Sequence, residues 1–144
     1  MPFSIHNNVG RLVLSSIGEM TLEDTQQFRT RIWALLGGFT GRVVLLTDVS
    51  RAHHFSDAVA AKITELMQVD NPKVERSAIY WGENAGPFAL QVQTMIDGAN
   101  EDAVRRNKPV LRRGFSDRTQ AREFLDEALD AEERAELARF GDSL

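Results

Sequence analysis

Residues 42–67, RVVLLTDVSRAHHFSDAVAAKITELM, constrain the fold more than any other stretch of this chain. Arg42 is followed by Val43, Val44, Leu45 and Leu46, the uninterrupted apolar run of a central strand covered on both faces. Ser56 and Asp57 then open a segment in which Val59, Ile63, Leu66 and Met67 recur at helical spacing. Between strand and helix lie two hydroxyls, an acid and two histidines, at the place where open α/β sheets collect functional groups.

The rest of the chain extends this pattern. Residues 3–6 and 11–17 read as a hairpin across the turn-like Asn7-Asn8-Val9-Gly10. Thr21 is the expected cap of a first helix that carries Phe28, Ile32, Leu35 and Leu36 as one stripe and ends at Gly37-Gly38. After residues 42–46 and the helix from Ser56, Asn71-Pro72 is a break and residues 74–81 supply another strand. Gly86-Pro87 begins a third helix, with Phe88, Val92, Met95 and Ile96 on its buried side. Residues 110–115 read as the last strand, and Ser116 as the cap of a helix with Ala121, Phe124, Leu125 and Ala128 on one side. Asp130-Ala131-Glu132-Glu133 has the form of a capping box and starts a terminal helix docked by Leu137 and Phe140. The expected fold is a single α/β domain over residues 1–144, with a mixed central sheet of about five strands and surrounding helices.

Composition bounds the function. At 144 residues, 42% apolar and 26% charged, the chain is of ordinary globular make-up. No apolar run approaches the roughly 18 residues of a membrane span, so no integral membrane segment is expected. The amino terminus lacks a basic segment followed by a continuous apolar one, so a secretory signal is not expected and a cytoplasmic location is. Cysteine is absent, which excludes disulfides and thiolate chemistry. A net charge of −4 gives no reason to expect nucleic-acid binding.

The order from strand-end acid to helix-start serine resembles the core of STAS domains, the fold of the bacterial anti-sigma-factor antagonists. The acid is Asp48, in Leu46-Thr47-Asp48-Val49-Ser50, and the serine is Ser56, in His54-Phe55-Ser56-Asp57-Ala58-Val59. The order strand, strand, helix, then strand and helix three times over, covers residues 3–129. Departures from the antagonist pattern are the missing Asp-Ser-Ser-Gly turn, the absence of a glycine after Ser56, and a longer connection. The carboxyl-terminal half looks more like a divergent branch of small STAS-like bacterial proteins close to the CRAL-TRIO lipid-transfer fold. The resemblance implies a non-catalytic regulatory or protein-interaction module, with a kinase-like or regulatory protein as partner and a phospho-acceptor at the helix start. Its second implication is a carrier or sensor of a small apolar or anionic ligand. No cofactor is expected.

The candidate working residues are therefore Asp48, Ser50, His53, His54, Ser56 and Asp57. Ser56 is at the least a helix cap, which contributes about 1 kcal/mol. As a phospho-acceptor it would gain roughly −1.5 to −2 charges beside free helix N–H groups. Adjacent histidines in an extended loop point opposite ways, and the His-x-x-x-His spacing of helical zinc sites is missing, so no metal is expected. A serine hydrolase built from Ser50 or Ser56 with a neighbouring histidine and Asp48 is the weaker alternative, since Gly-x-Ser-x-Gly is absent. Arg105, Arg106, Lys108, Arg112 and Arg113 form a basic cluster that either balances the acid-rich tail or binds an anion. Trp33 lies off the buried stripe of its helix, and with Trp81, Phe88, Met95 and Ile96 is a candidate for lining an apolar pocket. Trp33 and the edge strand of the hairpin are also where a homodimer would form.

Overall fold

A computed structural model of the chain describes residues 2–107 and 111–143, with residues 140–143 described by backbone alone. Strands β1 (Phe3–His6) and β2 (Leu12–Ile17) form the hairpin; helix α1 (Leu22–Gly37) leads to β3 (Val43–Asp48) and α2 (Asp57–Asp70). A short 3-10 turn, Asn71–Lys73, precedes β4 (Val74–Tyr80), which is followed by α3 (Pro87–Arg105) and β5 (Leu111–Phe115). Two further helices, α4 (Arg118–Asp126) and α5 (Ala131–Ser143), complete the chain. The expected positions of Val110, Lys108 and the Phe140 side chain lie outside the described residues.

The five strands stand in sequence order, β1 antiparallel to β2 and the other pairs parallel. Each parallel crossover therefore steps in the same direction across the sheet. Right-handed crossovers all stepping one way must put their helices on one face. Accordingly Phe28 and Ile32 of α1, Val59 and Ile63 of α2, and Val92 and Ile96 of α3 share one core with Val13, Val43 and Ile79. The opposite face would be bare without the chain's end. There α4, α5 and the turn between them bring Ala121, Leu125, Leu129 and Leu137 onto Leu12, Leu14, Val44 and Leu46. Alternate residues of β2 and β3 thus enter different cores, which is why both strands are apolar on each face.

The helix boundaries follow local chemistry. Thr21 accepts from the Asp24 backbone N–H and Asp24 reaches back to Thr21, so α1 opens with a full capping box. A second box joins Asp130 and Glu133 at α5, where Glu133 also accepts the Arg11 backbone N–H at 2.7 Å and so ties the β1–β2 turn to the terminal helix. At α4 the expectation needs correcting by one residue: Asp117, not Ser116, caps the helix, accepting from Gln120 N–H at 2.9 Å. Both residue types cap well, and only the backbone path after β5 selects between them.

Candidate functional site

The connection from β3 to α2 is a short loop at the carboxyl end of the sheet, and nearly every backbone turn in it is fastened. Asp48 is buried, and its Oδ1 accepts from the Ser50 N–H at 2.8 Å, closing the first bend. Val49 N–H pairs with the Tyr80 carbonyl at 2.9 Å, extending the β3–β4 ladder by one step. The His53 N–H donates to Glu19 Oε1 at 2.6 Å. Gln91, from α3, accepts the Phe55 N–H at 3.0 Å and donates to the Phe55 carbonyl at 2.7 Å, so one side-chain amide satisfies both backbone groups of that residue. The Phe55 ring is buried and packs edge-on to Phe88 at 5.2 Å. Ser56 then caps α2, its Oγ accepting from Val59 N–H at 3.2 Å.

This arrangement sorts the sequence-derived candidates into two groups. Arg51, His53, His54, Ser56 and Asp57 are exposed, with buried Ala52 and Phe55 between them, whereas Asp48 is buried as a brace and Ser50 is half-buried. Arg51 itself is held toward the β2 end by a 3.0 Å hydrogen bond to Ser16 Oγ. Among the described residues no hydrogen bond joins Ser50 or Ser56 to either histidine, and no group of three His, Cys, Asp or Glu side chains is gathered that could hold a metal ion. Glu19 and Gln91, which fasten the loop, were not legible in the sequence.

The basic cluster is dispersed. Arg105 and Arg106 are exposed at the end of α3, with Arg106 paired to Asp102 at 3.2 Å. Arg113 is exposed and lies over the Phe124 ring at 5.3 Å, on the α4 side of the sheet. Arg112, its neighbour in β5, is 4% exposed and faces the opposite layer, beneath α2 and α3. Burial pulls its guanidinium down to about 10, partly countered by the charge of Asp70. Asp70, near the end of α2, is pushed up to about 7 by its own burial, against the opposing influence of a hydrogen bond from Trp33 and the charges of Arg112 and Arg29. That contact gives half-exposed Trp33 a role within the molecule, with the Arg29 guanidinium stacked over its ring at 4.5 Å.

No family model matches the sequence, and no curated protein matches it. Among solved structures, the chain is similar to an uncharacterized protein of the DUF3478 family from Shewanella loihica PV-4, described as having a SpoIIAA-like fold, with a TM-score of 0.58 and 19% identity over 85% of this chain and 93% of that one. The fold is SpoIIAA-like. The STAS-type order of elements and the mixed sheet expected from the sequence are thereby shown. No helix among the described residues is long and apolar enough to cross a membrane.

Proposed function

We propose that the chain is a non-catalytic regulatory or protein-interaction module, and that its working surface is the loop 48–57 together with the first turn of α2. The observation that carries this reading is the fastening of the loop. Glu19, Gln91 and the buried Phe55 ring hold a run of exposed, chemically varied side chains in one conformation. A surface ordered before it meets a partner loses little entropy on binding. Arg51, His53, His54, Ser56 and Asp57 are all side chains that recognise charge and hydrogen-bonding groups rather than apolar ones, which suits a reversible protein contact with a polar rim.

Ser56 is the switch in this reading. Its hydroxyl is exposed at a helix start, so a phosphate there would meet the positive end of α2 while adding roughly −1.5 to −2 charges to the contact face. The phosphate would add its charge to that of Asp57 beside it, so the modification would disfavour an acidic partner surface. The test is mass spectrometry of protein purified from its native host in several growth states, paired with partner retention by Ser56→Asp. A phosphopeptide spanning Ser56 and a partner lost in Ser56→Asp are expected. An unmodified Ser56 in every state, with partner retention unchanged, would remove the switch.

A further inference from the structure

The layer between the sheet and α1–α3 contains a cavity of about 60 Å³. Its wall is largely apolar, formed by Ile17, Phe28, Ile63, Val92 and Met95. Space for one water needs about 10–15 Å³ on this scale, so the void has room for several atoms rather than for a single solvent molecule. Packed interiors hold few voids of this size, and one that persists forfeits the contacts its lining could have made. Asp70 and Arg112 bring charge to the wall, and Ser15, Thr47 and Ser77 add hydroxyls on the sheet side.

Arg112 is the unusual member. Its guanidinium is buried, and the acceptors it bonds are neutral: Asn71 Oδ1 at 2.9 Å, Asn100 Oδ1 at 3.4 Å and the Met67 carbonyl at 3.4 Å. Nε has no hydrogen-bond partner among the described residues, and no ion pair forms there between Arg112 and a carboxylate. Asp70 lies close enough for the two charges to influence each other without meeting. A buried cation is tolerated when an anion and good hydrogen bonds offset its lost hydration, and here that offset is incomplete. The underused groups are also adjacent. Nε, with no partner, and Nη2, with one long contact, form the edge of a guanidinium that takes a carboxylate through two parallel bonds.

We infer that this cavity is a binding site for a short-chain carboxylic acid, its carboxylate on the Nε–Nη2 edge of Arg112 and its hydrocarbon end among Ile63, Leu66 and Met95. The volume limits the ligand to about three to five carbons. A mostly apolar pocket with a few convergent polar groups is the usual form of a small-molecule site. Phosphate or sulfate would leave most of the wall uncontacted. Val49 and Phe55 line the far end of the same cavity, at the carboxyl edge of the sheet. The site stands on its own observations and does not depend on a protein partner at that loop.

The experiment is titration of the full chain with isovalerate, read by methyl chemical shifts and by thermal stability, alongside isovaleramide and inorganic phosphate at matched ionic strength. Saturable shifts at Ile63 and Met95, binding at least about tenfold weaker for isovaleramide, and none for phosphate are expected, since losing a charge-assisted bidentate contact costs at least a factor of ten. Arg112→Gln should weaken isovalerate to the level of the amide. Because that variant disturbs a buried cluster, Ser77→Leu supplies a second test: from the strand position paired with Arg112 it projects a larger side chain into the void, keeps the guanidinium, and should abolish binding. Equal affinity for acid and amide, undiminished binding by Ser77→Leu, or no saturable shift with isovalerate, butyrate or propionate would each overturn the inference.

Discussion

Asp70 couples the buried end of α2 to pH. Its carboxyl is raised from 3.8 to about 7 in the folded chain. The native state therefore binds a proton that the unfolded chain releases between those values. Its contribution to stability is fully present below about pH 4 and is lost as pH rises through about 7. With 1.36 kcal/mol per unit as the conversion, the loss is at most about 4 kcal/mol. Thermal unfolding of the wild type should move to lower temperature between pH 5 and pH 8, and the slope should flatten in Asp70→Asn; parallel slopes in the two proteins would dissociate Asp70 from the effect. Ser56 makes a different statement at the same scale. Ser56→Ala should cost about 1 kcal/mol of unfolding free energy through the lost cap, whereas Ser56→Asp, itself a good cap, should cost a few tenths. Chemical denaturation separates the two, and it frees any partner loss in Ser56→Asp from the charge of simple misfolding.

At the scale of elements, the parts legible in the sequence are those whose partners lie within a few residues. Thr21, Ser56 and Asp130 announce their helices because a cap is satisfied three residues away. The loop fastenings were hidden because Glu19 and Gln91 lie 34 and 36 residues from the backbone groups they hold. Arg112 is an intermediate case. As part of a run of basic residues it reads as surface, yet the two-residue period of a strand sends Arg112 and Arg113 to opposite faces, and that alternation was already present in the sequence. What the sequence lacked was the knowledge that both faces of β5 are covered. Gln91→Ala should cost about 1–3 kcal/mol by leaving the Phe55 backbone groups unsatisfied, and should speed amide exchange at residues 53–56. Unchanged exchange there would mean the loop owes its order to Phe55 and Glu19 without Gln91. Gly114, in β5, shows the same dependence on distant partners: a Cβ at that position would overlap the Trp81 ring. Gly114→Ala should therefore destabilise the domain by about 1–3 kcal/mol, measured by denaturant unfolding.

Over the whole molecule, function is positioned by topology. Three crossovers of one hand stack α1, α2 and α3 on one face, and they bring the β2–α1, β3–α2 and β4–α3 connections to the same carboxyl edge. That convergence is why Glu19 and Gln91 can both reach one loop. The end of α3, with Arg105 and Arg106, lies at the opposite edge of the sheet, because α3 runs back against the strands. The two ends therefore serve as test and control for the central claim. The decisive measurement is affinity capture from the native host with wild-type protein, a loop variant carrying Arg51→Glu, His53→Ala and His54→Ala, and a far-end variant carrying Arg105→Gln and Arg106→Gln, each confirmed as folded. A protein partner held by wild type and by the far-end variant, and lost by the loop variant, is the predicted result. Retention by the loop variant equal to that of wild type would contradict the assignment of the β3–α2 loop as the working surface.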